Sequence, residues 1–307
     1  MSNSNECLLD STTVIKLPLL NSGKVRDIYE VPGHDDKLLF VMTDRMSAFD
    51  VVMDDGIPGK GTVLTKLSLF WFDMFKTFAN HLITANVADY PESCQEYAQY
   101  LVNRSMLVRK ANVLPLEFIV RGRLTGSFLK AYNKAPEIDG QKAVYGFNLP
   151  AGLMENDLID PIMTPSTKAE QGEHDENISA TQAIQLLDGD VELYEAAESM
   201  SIYLFKNAAE HALKKNIVIA DTKFELGLIN DKLILIDEVL TPDSSRFWPA
   251  DKVVRGKTPP SYDKQFLRDY LNSIKWNKTP PPPTLPQKVI GGTQKRYKDA
   301  LWRLTSA

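Results

Sequence analysis

The sequence has little sulfur, no excess of positive charge and no long apolar run. Its 307 residues include two cysteines, Cys7 and Cys94, far apart and in no CxxC arrangement. That gives no basis for a disulfide framework or a cysteine-built zinc site, and it fits a reducing cytosol. The formal net charge of −5 speaks against a broad nucleic-acid-binding surface, though a local cluster of Arg and Lys could still hold a small anion. The opening MSNSNECLLD carries neither a positive n-region nor an apolar h-region, and no apolar run reaches membrane length. A soluble, cytoplasmic protein with no nucleic-acid or membrane partner is expected. HExxH, GxSxG and Cys/His nucleophile patterns are missing too. The segment Gly56-Ile-Pro-Gly-Lys-Gly is not a Walker A loop, because Gly61 follows Lys60 and Asp54 stands where the first Gly should be.

What is there is globular. Hydrophobic content of 43% and charged content of 24% are ordinary for a folded chain, and the length favours two lobes. Val25–Val31 and Lys37–Thr43 read as strands joined at Pro32-Gly33-His34, and Leu64–Asn80 as a buried helix. Arg104–Lys110 and Pro115–Arg123 read as strands around a short Ala-Asn-Val hinge. The hinge suggests a nucleotide-binding lobe over 1–113 and a second lobe over 114–307. A helix is expected from Gly126, irregular chain over 133–180, one or two helices over Ala180–Asn216, and a hairpin over Asn216–Val239 turning at Asn230-Asp231. A proline-rich spacer (279–287) and a helix over Val289–Leu304 close the chain. The PxxP match within the spacer reads as a stiff connector.

Three stretches carry chemistry. In PLEFIVRGRLTGS, residues 115–127, Glu117, Ile119, Arg121 and Arg123 share one strand face while Leu116, Phe118 and Val120 share the other. One face packs and the other looks into something polar. Gly126-Ser127 then heads a helix, whose N-terminus beside the two arginines outlines a phosphate pocket with Ser127 as cap. In the hairpin, Asp221, Lys223 and Glu225 share a face. Asp237 would oppose Glu225 across a three-residue turn or a bulge at Gly227, whereas a strict two-residue turn would put it on the other side. Facing carboxylates need a proton or a cation between them, so these acids form either a Mg²⁺ site or a solvated face balanced by Lys223. Downstream, the turn Asp243-Ser244-Ser245 presents Arg246 as a clamp for carboxylate or phosphate. Ser22-Gly23-Lys24 with Arg26 could drape backbone and two cations over a triphosphate, while Lys168 and His174 lie in an acidic, loop-like stretch.

VLPLEFIVRGRLTGS, IADTKFELG and DEVLTPDSSRFW, together with SGKVRD and TDRMSAFD, resemble the SAICAR synthetase family, in its longer, yeast-like form. The likeness runs from about Gly23 to the final helix. Leu226 departs from it mildly, standing where the family has a bulkier Phe or Ile. The resemblance implies an α+β, two-lobed fold related to ATP-grasp and kinase-like folds. It also implies ATP-dependent joining of L-aspartate to carboxyaminoimidazole ribonucleotide (CAIR), with Mg²⁺ as cofactor. The sequence leaves monomer and small homo-oligomer both open. Carried over by residue, Gly23, Lys24 and Arg26 cover the ATP phosphates, with Lys110 and Leu114 beside the adenine. Glu225 and Asp237 hold Mg²⁺, joined by Glu117 and Asp221 on the CAIR carboxylate side. Arg121, Ser127 and Arg246 fix the ribonucleotide, and Lys168 and Asp175 touch aspartate or substrate. Lys223, Asp221 and Asp243 orient the reacting groups. A small-molecule kinase and a scaffold for SH3-type partners are the rival readings.

Overall fold

The computed structural model describes residues 7–168 and 176–306. The chain divides into two compact units, one of Met1–Asn112, Thr241–Asp243 and Tyr262–Ala307, the other of Val113–Leu240 and Ser244–Ser261.

The first unit begins with strands β1 (Leu19–Ser22), β2 (Arg26–Glu30) and β3 (Lys37–Met42), then helix α1 (Lys60–Met74), β4 (Leu82–Thr84) and β5 (Ser105–Arg109). They form an antiparallel sheet in the order β1-β2-β3-β5-β4. Alternation places Tyr29, Leu39, Val41 and Leu107 in a core with Ile15 and Cys94. Helix α1 buries Leu64, Leu67 and Trp71, each worth roughly 1.5–3 kcal/mol when fully removed from water.

In the second unit come β6 (Leu116–Arg123), α2 (Gly126–Lys134), a meander of β7 (Glu137–Ile138), β8 (Gln141–Val144) and β9 (Phe147–Pro150), and the long β10 (Leu158–Thr167). Helices α3 (Ala180–Leu186) and α4 (Val191–Lys214) follow, then β11 (Ile217–Ile229), β12 (Lys232–Ile236) and β13 (Ser245–Pro249). Local chemistry sets the helix starts. Ser179 and Gln182 make a reciprocal capping box for α3, and the Asp190 carboxylate accepts from Leu193 N–H to cap α4. The main sheet runs β10-β6-β11-β12, with β13 also paired to β11. One face of it, carrying Phe118, Val120 and Phe224, packs on α4, which contributes Leu204, Phe205 and Ala208. Gly122 is required there, since a Cβ would lie 2.8 Å from the Phe205 ring. The opposite face carries the polar residues. Helices α5 (Gln265–Ser273) and α6 (Gln287–Thr305) then rejoin the first unit, where α6 packs on α1.

The α+β class is as expected, with antiparallel sheets and flanking helices. Two readings change. Among the described residues of 133–180 the chain is not irregular throughout: the meander and β10 occupy much of it. Pro161 and Pro165 hide β10 in the sequence, because proline cannot donate to a ladder; among the described residues β10 is an edge strand, laddered to β6 and met on its other side by a bridge from Ser166 to Asn177, so that edge tolerates them. The expected second lobe, 114–307, also ran too far. Tyr262–Ala307 clusters with the N-terminal unit because α6 is amphipathic and buries Val289, Tyr297 and Leu304 there.

Candidate functional site

Strand register builds the site in the second unit. Antiparallel pairing sets Asp221 opposite Arg121 and Lys223 opposite Ile119. Continuing the same register by one more same-face rung brings Glu225 level with Glu117. Glu225 therefore faces Glu117 rather than Asp237. Lys223 stands between them: its Nζ is hydrogen-bonded to Glu117 Oε1 and lies 3.8 Å from Glu225 Oε1. Lys168 Nζ reaches Glu225 Oε2 at 2.5 Å, which makes Lys168 part of the acidic cluster. Burial pushes the Lys223 ammonium toward deprotonation, but Glu117 and Glu225 outweigh it and raise its pKa above the ordinary lysine value.

Asp237 resolves differently from either expected alternative. Asn230 and Asp231, with φ of 50° and 60°, make a two-residue turn, and Ile236 pairs with Glu225. Strict alternation would send Asp237 to the packed face. Instead the ladder stops at Ile236 and Asp237 takes a left-handed φ of 68°, which breaks the alternation. Its charge contributes to holding Lys223 protonated. Asp237 thus belongs with the acids, by a backbone twist and not by register. Among the described residues, no group of three or more His, Cys, Asp or Glu is gathered as a preformed metal cage.

The basic end lies two rungs along the same face. Arg121 is only 2% exposed. Its Nε donates to Thr164 Oγ1 at 2.8 Å, one Nη donates to Asn177 Oδ1 at 3.1 Å, and the other lies 3.6 Å from Asp221 Oδ2. Burial lowers its pKa, with Asp221 opposing. Arg246 donates to the same Asp221 oxygen and lies across the start of α2. A Cβ on Gly126, whose φ is +60°, would come within 2.5 Å of the Arg246 guanidinium. The α2 N-cap is Thr125, whose side chain makes no capping hydrogen bond; Ser127 is exposed in the first turn and is not the cap. N–H groups of a first helical turn lack intrahelical acceptors and favour an anion. Arg123 turns away from this group to the Asn156 carbonyl, at 2.8 Å.

In the first unit, Gly23 and Lys24 lie in the turn between β1 and β2, where Gly23 N–H donates to the Arg26 carbonyl at 2.8 Å. Lys24 pairs with Asp50, and the Arg26 guanidinium lies 5.6 Å from the centre of the Phe40 ring. Lys110 is exposed at the end of β5 in this unit, whereas Leu114 is buried in the second, its N–H donating to the Leu226 carbonyl at 3.0 Å. The Asp243 side chain is buried in the first unit. Its carboxylate lies 2.7 Å from Lys60 Nζ and 3.3 Å from Lys264 Nζ, and accepts from Tyr297 Oη at 2.6 Å. Burial would raise its pKa; Lys264 and Lys60 outweigh that and hold it well below the carboxylate range. Asp175 and His174 lie outside the described residues. Sequence reasoning missed Lys60, Lys264 and Tyr297 as partners of Asp243, because no local pattern links them to it. Thr164 and Asn177 were hidden in the stretch read as irregular.

Carboxylates bridged by ammonium groups at one end of a sheet face, and guanidinium groups over a helix N-terminus at the other, are the equipment of a protein that handles anionic substrates. A family model described as SAICAR synthetase matches residues 19–283. A relative from Desulfotalea psychrophila, named phosphoribosylaminoimidazole-succinocarboxamide synthase, is 53% identical over 96% of this chain and 97% of its own length. One of the same name from Geobacter sulfurreducens is 52% identical over 94% and 95%. A solved structure described as SAICAR synthase from Saccharomyces cerevisiae complexed with SAICAR superposes with a TM-score of 0.84, at 42% identity and 99% coverage of both chains. The chain belongs to the SAICAR synthetase family.

Proposed function

We propose that this chain is a cytoplasmic ligase that condenses CAIR with L-aspartate, using ATP, to give SAICAR, ADP and phosphate in de novo purine synthesis. The observation that carries this reading is the single sheet face with Glu117, Lys223 and Glu225 at one end and Arg121, Asp221 and Arg246 at the other. Four residues of strand from Glu117 to Arg121 span about 13 Å, a separation suited to a ribonucleotide whose base carboxylate and 5′-phosphate lie at opposite ends.

A carboxylate resists amine attack because oxide is a poor leaving group. Transfer of the γ-phosphoryl group of ATP to the CAIR carboxylate oxygen gives an acyl phosphate. The aspartate amine then attacks its carbonyl carbon, loses a proton and expels phosphate. Such transfer rests on positioning and charge neutralisation more than on a covalent nucleophile. Arg121, Arg246 and the α2 N-terminus with Ser127 grip the 5′-phosphate, and Asp221 sets both guanidinium groups. Lys223 steadies the transferring phosphoryl group, and Lys168 meets an incoming carboxylate. Gly23, Lys24 and Arg26 cover the ATP phosphates, with Lys110 and Leu114 toward the adenine.

Mg²⁺ fits this donor set. The donors are all oxygen, and Mg²⁺ is ordinarily held by one or two carboxylates plus substrate phosphates, without an all-protein cage. Glu225 and Asp237 would hold it, with Glu117 beside them, and when bound it neutralises charge on the phosphate oxygens. The deciding experiment is ADP release with CAIR, with and without L-aspartate. Release that requires aspartate and CAIR together supports the ligase, while release indifferent to aspartate points to a kinase.

A further inference from the structure

The motif TDRMSAFD helped to mark the family but has no role in the site as described. Its first residues lie against the turn between β1 and β2. Thr43 binds the Val25 carbonyl twice, from its backbone N–H at 3.0 Å and from its hydroxyl at 2.8 Å. Arg45 donates from one Nη to the Gly23 carbonyl at 2.8 Å and to Asp27 Oδ1 at 2.7 Å, and from the other to the Leu9 carbonyl at 2.8 Å and Asp27 Oδ2 at 3.2 Å. Asp27 is fully buried at the base of the turn, where it also accepts from Ser22 Oγ at 2.6 Å and Ser11 Oγ at 2.5 Å. Asp44 anchors the frame elsewhere. It accepts from Leu8 and Gly61 N–H at 2.9 Å each, and one oxygen lies 3.2 Å from Arg104.

Both ends of the Gly23-Lys24-Val25 turn are therefore held by their carbonyl oxygens from behind. Fixing the carbonyls of a peptide turn also fixes the opposite direction of its N–H groups. Burial pushes the Asp27 carboxyl up, but hydrogen bonds from Arg45, Ser11 and Ser22 outweigh it, so the carboxylate stays ionised and keeps Arg45 in place.

We propose that Thr43, Arg45 and Asp27 are positioning residues that hold the Gly23-Lys24-Val25 turn in a shape ready to receive the phosphates of a nucleoside triphosphate. The inference rests on the reading that this turn covers ATP phosphates. The three residues touch no substrate; they act through the backbone of the turn. Loss of the brace weakens binding of the phosphate chain and leaves recognition of the nucleoside alone.

The test compares affinity for ATP with affinity for AMP, by titration calorimetry on the full chain. Variants Arg45→Met, Arg45→Lys and Thr43→Val are measured beside Lys24→Met, which removes a cation on the turn itself. Losing charge-assisted hydrogen bonds of this kind should weaken ATP binding about tenfold in Arg45→Met. AMP binding should change little. Arg45→Lys should recover part of the loss, and Thr43→Val should show a smaller loss of the same sign. A parallel fall for ATP and AMP, or no fall for either with Lys24→Met impaired, overturns the brace. An unaffected Lys24→Met variant overturns the underlying phosphate reading instead. If Arg45→Met does not fold, Thr43→Val and Arg45→Lys decide by the same ratio.

Discussion

Asp221→Asn is the sharpest perturbation of the second unit, because one carboxylate serves two guanidinium groups. Asn keeps the shape and removes the charge. Arg121 Nη lies 3.6 Å from Asp221 Oδ2, which corresponds to an attraction of roughly 4–5 kcal/mol at an effective dielectric of about 20, before desolvation is counted. Breaking one side of a buried pair costs about 3–5 kcal/mol, since the remaining charge keeps its desolvation penalty. Arg246 donates to the same oxygen and is partly open to water, so it contributes toward the lower end. The variant should therefore lose about 3 kcal/mol of stability in the second unit. It should also respond to anions more strongly than the parent. Two arginines deprived of their carboxylate gain more from an added phosphate group, and inorganic phosphate should recover part of the loss. The measurement is urea unfolding followed by tryptophan fluorescence, with and without millimolar inorganic phosphate. An Asp221→Asn variant as stable as the parent would refute the account of the arginine pair. A destabilised variant indifferent to phosphate would refute the anion pocket while leaving the ion pair intact.

Other outcomes are equally concrete. Glu225→Gln should lower aspartate-dependent ADP release by about 100-fold or more, as loss of a preorganised charge does, with the melting temperature little changed. Lys223→Met removes the ammonium group between Glu117 and Glu225 and leaves only Lys168 on the Glu225 side, so the Glu117 carboxyl pKa rises. The folded state then binds more protons than the unfolded one, and the variant's stability should grow as pH falls from about 7.5 to about 5.5, the reverse of acid unfolding; a flat profile counts against the facing pair. Asp243 has a depressed pKa, so its contribution is complete above the unfolded carboxylate value of about 3.9 and disappears as pH falls below it. Asp243→Asn should cost about 3 kcal/mol at neutral pH and flatten that acid limb. Burial, then Asp44 and Asp55 against Arg104, push the Cys7 thiol up to about 11. Iodoacetamide should label native Cys7 slowly at pH near 8, with a rate rising about tenfold per pH unit.

Much of this was legible because strands report their faces. The alternation in 115–127 and 219–227 is enough to pair a packed face with a polar one, and the fold keeps both. Turn chemistry was equally readable: Asn230-Asp231 closes the hairpin as its residue types suggest. What stayed hidden has two physical causes. A single left-handed residue can cancel register, as Asp237 does, and no residue pattern distinguishes that from a strand running on. Buried ion networks such as Asp243 with Lys60 and Lys264, or Asp27 with Arg45, join residues distant in sequence. Their lysines and arginines look like ordinary surface charge until the fold closes over them.

The two kinds of arginine environment explain why motif residues need not be substrate contacts. Arg121 and Arg45 are both held by an aspartate and by neutral acceptors or hydroxyls, yet their consequences differ. Arg121 shares Asp221 with Arg246, which lies across a helix N-terminus, so on the proposed reading this pair of charges meets an incoming anion. The Arg45 guanidinium donates to carbonyls and to the carboxylate of its own unit, so what it transmits is shape. If both were merely structural, phosphate would protect neither Asp221→Asn nor the parent, and ATP and AMP would respond alike to Arg45→Met. Divergence of these two readouts separates a guanidinium that binds from one that positions, something that motif membership alone does not reveal.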